Sequence, residues 1–407
     1  MHVTHLSLSD FRNYARAELA LGPGPTLLVG RNGQGKTNLV EAIGYPSLGG
    51  SHRVAGDQAL VRAGEEAAIV RMRVAHDERA IVVELQLNKT GANRAQVNGS
   101  AVRMRELPRY VHTVLFAPED LALVRGEPSG RRSFLDALAV QRTPRMAGTI
   151  GDYERVLRQR NSLLKSARAS RLSPDALTTL DVWDDRLVSL GVEIIAARVA
   201  LVAELRPHLL AGYSAVAGDD HRAEVGMRHT IVDSSGEGPL HSDDTIDVQR
   251  AADQFRYSLA DRRRAELERA VTLVGPHRDD LVLTLNGHPA RTHASHGESW
   301  SYALALKLAA ARVLRADAVA GDPIVILDDV FAELDEGRRE RLADAVSDFE
   351  QVLITAAVEN DVPERLAASR IRIAAGHIVE LAGSESADAS ASSDGSDGSE
   401  VPAEESA

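Results

Sequence analysis

The chain has 407 residues, 44% of them hydrophobic and 26% charged, with a formal net charge of -12 and no cysteine. Such a length can bury a large core and hold two or three domain-sized units, while the absence of any apolar run of about 18 residues argues against a membrane span. Without cysteine there is no disulfide, no thiolate chemistry and no Cys-based zinc site. The start Met1-His2-Val3-Thr4-His5 lacks the basic and apolar regions of an export signal, so a cytoplasmic chain with no membrane partner is expected. The histidines are scattered, and even His293-Ala-Ser-His296 lacks a matched carboxylate, which reads as non-metal.

Residues 3–29 predict strands ending in the apolar run Thr26-Leu27-Leu28-Val29. Directly after it stand Gly30, Arg31, Asn32, Gly33, Gln34, Gly35, Lys36 and Thr37, the phosphate-binding pattern GxxxxGKT. Its glycines let backbone N–H groups curl around a polyphosphate. Lys36 can reach the β and γ phosphates of ATP, and the Thr37 hydroxyl can hold Mg²⁺ at a helix N-terminus. An unrelated Gly-rich turn rarely supplies both the strand and the Lys-Thr pair.

The segments Ala67–Val74 and Ala80–Leu87 are rich in β-branched residues, and Asn98-Gly99 signals a hairpin turn. From about 118 to 268 the period lengthens to that of helices. Val182, Trp183, Leu187, Leu190, Ile194, Ala197 and Leu201 fall on one stripe, and Val248, Ala252, Phe255 and Leu259 on another. Ser173-Pro174-Asp175 reads as an N-cap followed by proline, and 233–239 as a loop. Residues 125–172 carry eleven Arg or Lys against four acids. That field fits a phosphodiester backbone, and Arg131, Arg132, Arg158 and Arg160 are its candidate DNA contacts. Charge alone leaves a solvated helical face as an equal reading, and some of these arginines can instead pair with Asp136, Asp152 or Glu154, the usual fate of arginines in helical domains.

Strand character returns at Val271–Val274 and Leu281–Leu285, followed by an Asn286-Gly287 turn. Ser295-His296-Gly297-Glu298 then precedes a long helical run from Tyr302 to Arg312, placing a hydroxyl and a glycine N–H where an anion is favoured. The run Ile324-Val325-Ile326-Leu327 ends in Asp328 and Asp329, a Walker B pattern in which the first acid orients Mg²⁺ and the second positions the attacking water. Lys36, Asp328 and Asp329 are therefore the candidate catalytic residues. The final 25 residues, from Gly383 to Ala407, hold seven acids, no Lys or Arg and little apolar character, the composition of a disordered tail.

The order Walker A, helical insert, Ser-x-Gly helix, Walker B resembles that of ABC-type ATPases. By that resemblance Ser295 and Gly297 form the signature that meets the γ phosphate held by the opposite subunit, and Asp335 stands in the D-loop. The predicted organisation is an α/β ATP-binding lobe from 1–117 and 269–382, an inserted α-helical lobe at 118–268, and the tail at 383–407. The strand Gln351–Thr355 ends without the switch histidine of transporters, and the shorter second acid, Asp329 in place of Glu, suggests slow hydrolysis.

More specific strings resemble the RecF family of bacterial replication and recombination-repair ATPases. They are Phe11-Arg12-Asn13-Tyr14, the loop 30–37 with Asn38–Ala42, Pro118-Glu119-Asp120-Leu121 with Arg131–Asp136, Leu157–Asn161, and Gly275–Leu281. This resemblance implies a Rad50/SMC-like ABC head with a short helical second lobe and no long coiled coil. It further implies ATP-dependent homodimers, binding to single-stranded, gapped or junction DNA, work with RecR and RecO in recombinase loading, and SOS induction. His296 and Glu298 depart from the Ser-x-Gly-Gln usual in that family. A non-hydrolysing ATP-gated DNA-binding module is the alternative, and a structural SMC or Rad50-type head would need helices longer than the roughly 25-residue stripes seen here.

Overall fold

The computed structural model describes residues 1–54, 56–170, 178–218, 221–231, 246–316 and 321–380. The expected N-cap at Ser173, the 233–239 loop and the acidic tail lie outside the described residues. The chain opens with strands β1 (His2–Phe11), β2 (Tyr14–Ala20) and β3 (Gly24–Val29), then helix α1 (Lys36–Leu48). Strands β4 (Ala67–His76), β5 (Arg79–Asn88), β6 (Arg94–Val97), β7 (Ser100–Val102) and β8 (Thr113–Phe116) follow. The helices α2 (Leu121–Arg125), α3 (Pro128–Arg142), α4 (Met146–Ala169) and α5 (Thr178–Ala217) lead to β9 (Ala223–Arg228) and α6 (Val248–Arg269). Last come β10 (Asp280–Leu285), β11 (His288–Pro289), α7 (Ala290–His293), α8 (His296–Ala316), β12 (Ile324–Asp328), α9 (Glu336–Val346), β13 (Gln351–Ala356), β14 (Ser369–Ala374) and β15 (His377–Glu380).

Two six-stranded sheets enclose α1. One is antiparallel in the order β2-β1-β4-β5-β6-β7, and the other, β15-β14-β3-β13-β12-β8, is parallel except for its edge strand β15. The parallel sheet is apolar on both faces because both are covered. Along β12, Ile324 and Ile326 pack with α1 and the antiparallel sheet, whereas Val325 and Leu327 pack with α5, α8 and α9. The period-2 alternation of a strand thus divides one apolar run between two cores. The Asn98-Gly99 turn joins β6 to β7 with φ values of 50° and 78°, the left-handed pair a two-residue hairpin requires.

The helical region differs from its sequence pattern in four places. First, β9 is a strand within the expected helical insert; it pairs along its whole length with β10. Second, the expected strand 271–274 does not form. Its N–H groups are engaged elsewhere, Val271 donating to the Glu266 carbonyl at 3.2 Å, Thr272 to Asn161 Oδ1 at 2.8 Å and Leu273 to Glu266 Oε1 at 2.7 Å. Third, Val182 and Val248 begin their stripes but are 71% and 58% exposed, while Leu180, on another face of α5, is fully buried. Fourth, α5 runs for 40 residues, well beyond the expected stripe length. It does not form a coiled coil. Its N-terminal half packs with α4 and α6 in a separate helical core, and its C-terminal half enters the main core against α8.

Candidate functional site

The loop between β3 and α1 is braced from three sides. Gly33 and Gly35 have φ of 79° and 113°, and a Cβ at Gly35 would lie 2.7 Å from the Tyr14 hydroxyl and 2.8 Å from Asn13 Nδ2. Only glycine fits there. Asn13 donates to the Gln34 carbonyl at 3.1 Å and accepts from Asn38 at 2.7 Å, while Gly376 N–H also donates to the Gln34 carbonyl at 3.1 Å. Arg12 grips the buried Glu41 of α1 through Nε at 2.9 Å and Nη2 at 2.7 Å. The string Phe11-Arg12-Asn13-Tyr14 therefore acts as a clamp on the loop and its helix.

Lys36 is 3% exposed, and its ammonium donates to the Gly30 carbonyl at 2.8 Å. Parallel pairing of β3, β13 and β12 then sets the Walker B acids beside it. Asp328 Oδ1 accepts from Thr37 Oγ1 at 3.0 Å and from Thr355 Oγ1 at 2.6 Å, and the Thr355 hydroxyl in turn accepts from Asp329 N at 2.9 Å. The sequence places these residues some 300 positions apart; the sheet brings them together. A hydroxyl and a carboxylate of this kind form a hard oxygen pair that suits Mg²⁺, which uses few protein ligands and completes its shell with water and phosphate. Asp329 has φ of 51°, a left-handed conformation that turns its side chain off the line of the strand. Burial holds its carboxyl above the usual carboxylate range, neighbouring Asp328 adds to that, and the Lys36 ammonium opposes it. A raised proton affinity is the direction a general base needs.

His52 was missed in the sequence because no pattern marks it. Its Nε2 is buried without a hydrogen-bond partner and lies 3.8 Å from Asp328 Oδ2.

Ser295, Gly297 and Asp335 form a second constellation, and no hydrogen bond or ion pair joins it to the phosphate loop among the described residues. Ser295 N–H donates to Glu298 Oε2 at 2.7 Å and Glu298 N–H to Ser295 Oγ at 3.2 Å, a reciprocal capping box on α8. Hydrogen bonds from Ser295 hold the Glu298 carboxyl below its ordinary range. Glutamate and glutamine serve a capping box equally, which accounts for Glu298 where Gln was expected. Asp335 caps α9 by accepting from Arg338 N–H at 2.9 Å, and Arg338 Nε donates to Ser301 Oγ of α8 at 3.1 Å. The signature helix and the D-loop are thus pinned to each other.

The candidate DNA arginines separate sharply. Arg131 is 5% exposed and grips Asp280 at 2.8 and 3.0 Å. Arg160 is fully buried, with Nε on Asp184 Oδ1 at 2.6 Å, Nη1 on Thr272 Oγ1 at 2.9 Å, and Nη2 2.7 Å from Glu266 Oε2 in an ion pair without hydrogen-bond alignment. Neither can touch a polyanion, which corrects the sequence reading. Arg132 is half-buried and donates to the Asp279 carbonyl at 2.9 Å. Arg158 alone is largely exposed, in a surface ion pair with Glu154 at 3.7 Å, which is one of the pairings the sequence foresaw. The partners foreseen for the buried arginines were also different: Asp136 binds Arg198 and Asp152 binds Arg155. The strings around 131–136 and 275–281 therefore tie α3 to β10 through Arg131 and Asp280, and the string 157–161 ties α4 to α5 and α6 through Arg160.

A phosphate loop, a Walker B strand, a signature helix and an inserted helical lobe on two sheets define an ATPase head of the ABC/SMC class. Consistent with this, the sequence profile described as RecF/RecN/SMC N terminal domain matches residues 2–377. An SMC head domain from Pyrococcus furiosus shares the fold at a TM-score of 0.52 and 16% identity, over 93% of this chain and 96% of that one. Within the class, the chain belongs to the RecF family. It is 60% identical over 385 residues to the DNA replication and repair protein RecF of Leifsonia xyli subsp. xyli, covering 93% of this chain and all of that one. Identity to the RecF of Clavibacter sepedonicus is 59%, covering 93% and 95% of the two chains. The recombination mediator RecF bound to ATP superposes with a TM-score of 0.80 at 27% identity, covering 93% of this chain and 99% of that one. No helix among the described residues is long and apolar enough to cross a membrane.

Proposed function

We propose that this chain is an ATP-gated DNA-binding ATPase of replication and recombinational repair. Two heads would close around ATP, engage single-stranded, gapped or junction DNA, and release it on slow hydrolysis. The observation that carries the reading is the convergence of Lys36, Thr37, Asp328 and Asp329 at the end of the parallel sheet. In this reading the N–H groups of 30–37 and the Lys36 ammonium bind the triphosphate, Thr37 and Asp328 hold Mg²⁺, and Asp329 takes a proton from the attacking water. The ion held by Thr37 and Asp328 would supply charge neutralisation for the triphosphate. Ser295 and Gly297, with Asp335 behind them, would close on the partner's nucleotide. Kinship to a recombination mediator of the RecFOR pathway supports RecR and RecO as partners in recombinase loading, and SOS induction is the downstream role this reading adds. The deciding experiment measures DNA affinity and phosphate release with and without ATP across gapped, duplex and single-stranded DNA. ATP-gated binding without turnover would favour a non-hydrolysing module.

Asp329→Asn should preserve ATP-dependent DNA complexes and lower turnover by about 100-fold or more, within the 10²–10⁴ range for a lost general base. Phosphate release beside gel-shift binding checks this, and a wild-type rate would remove Asp329 from the mechanism.

With Arg131 and Arg160 buried, the DNA surface has to lie elsewhere. Arg105, Arg109 and Arg145, with Glu106, line a surface cleft of about 400 Å³ between the turn Met104–Arg109 and the start of α4, where Arg145 also lies 3.5 Å from Glu193. Arg105 and Arg109 are exposed and make no ion pair among the described residues. They and Arg158 are the arginines we assign to the phosphodiester backbone. Replacing Arg105 and Arg109 together by Ala should lower the salt slope of duplex binding by about 1.8, from roughly 0.9 per lost phosphate contact. An unchanged slope in a folded variant would remove the cleft from the DNA surface.

A further inference from the structure

His52 sits on a loop that is held in place. Ser51 Oγ donates to Glu41 Oε1 and accepts from Arg53 N–H at 3.0 Å and Val54 N–H at 3.1 Å. Glu41 is itself held by Arg12, and Arg53 Nη1 donates to Asn38 Oδ1 at 3.0 Å. Residues 51–54 are therefore tied to α1, the helix that starts with Lys36 and Thr37, so the imidazole is placed by the same bonds that place the phosphate loop. Its side chain is 13% exposed, its Nε2 has no partner, and the acidic oxygen within ion-pair range is Asp328 Oδ2. An unpaired buried nitrogen carries an uncompensated desolvation cost and calls for an explanation. Asp328 supplies a matching asymmetry: Oδ1 accepts from two hydroxyls, while Oδ2 has no hydrogen-bond donor within reach among the described residues. The strand β13 contributes Thr355 here and no histidine, and the imidazole comes from the loop that follows α1.

We propose that His52 is a positioning residue for Asp328. In the nucleotide-bound protein its Nε2–H donates to Asp328 Oδ2, so that Thr355 and His52 grip the two oxygens of the carboxylate offered to the divalent cation. Groups in this outer position fix the plane and basicity of a ligating carboxylate, and their loss typically costs 10–100-fold in metal affinity or activity. The proposal rests on the nucleotide reading above. The test compares His52→Leu, which fills the space without a donor, with His52→Gln, whose amide keeps one. Mn²⁺ affinity of the ATP-bound protein is measured by electron paramagnetic resonance, together with turnover, ATP affinity in EDTA and melting temperature. In His52→Leu, Mn²⁺ affinity and turnover should each fall about 10-fold, at the low end of that range, while ATP affinity in EDTA is unchanged. His52→Gln should keep both near the wild-type level. Wild-type Mn²⁺ affinity in His52→Leu overturns the proposal, and so does an equal fall in both variants. Failure of the wild type to bind Mn²⁺ and ATP overturns the nucleotide reading itself and this proposal with it.

Discussion

Lys36→Ala is expected to weaken ATP binding by about 100-fold or more, since truncating one partner of a buried charge contact costs roughly 2–5 kcal/mol. The side chain is the buried cation of the loop, and its ammonium rests on the Gly30 carbonyl at 2.8 Å and the Arg31 carbonyl at 3.4 Å. Those two bonds are weak substitutes for phosphate oxygens, so the ammonium is held ready at little cost. Its removal leaves two carbonyls beside the exposed Arg31 and Asn32, where water can replace the lost donor, and the fold should survive with a stability change of about 1 kcal/mol. Isothermal titration with ATP reads the effect directly, and near-normal affinity would show that this loop does not hold the nucleotide. ATP-dependent DNA binding should disappear in step, because the proposed closure depends on bound triphosphate.

Arg160→Met should destabilise the protein by about 3–5 kcal/mol, the usual cost of breaking a buried pair by removing one partner. Asp184 and Glu266 would remain in the helical core with their charges uncompensated, although Arg263 Nη2 still reaches Asp184 at 2.8 Å. Burial already holds the Glu266 carboxyl above its ordinary range, opposed chiefly by Arg160. Without Arg160 its proton affinity rises further. The folded state then holds a proton that the unfolded chain releases, so the variant's stability falls as pH rises through the folded-state pKa, and its deficit should be smaller near about pH 5 than near about pH 8. Urea unfolding at the two pH values measures this. Adding Glu266→Met should recover part of the loss, since replacing both partners by apolar groups is often near neutral. A fully stable Arg160→Met protein would mean that this ion cluster does not hold α4, α5 and α6 together. The same experiment explains why loss of DNA binding in such a variant would not locate the DNA surface.

Much of the nucleotide site was legible because it is made of local conformation. The left-handed glycines of 30–37, the apolar run before Asp328 and the Asn98-Gly99 hairpin each depend on a few neighbouring residues, so their patterns survive in one dimension. The two acids after Leu327 were legible too, because adjacent carboxylates at the end of a buried strand are costly without a role. The departure at Glu298 was accounted for only once its hydrogen bonds with Ser295 were seen.

What the tertiary structure alone decided are the properties that depend on distant partners. Arg158 and Arg160 are two positions apart on one helix, yet one is 70% exposed at its side chain and the other not at all, because the 100° step per residue turns Arg160 toward Asp184 and Glu266. Arg131 meets Asp280 across 149 positions. A count of charges cannot distinguish a guanidinium that neutralises a buried carboxylate from one that faces water. Residues 223–228 become a strand because β10 offers an open edge, and 271–274 fail to do so because Asn161 and Glu266 take their N–H groups. His52 acquires its meaning only when α1 and β12 come together, for an imidazole in a loop has no signature until the carboxylate it faces is known.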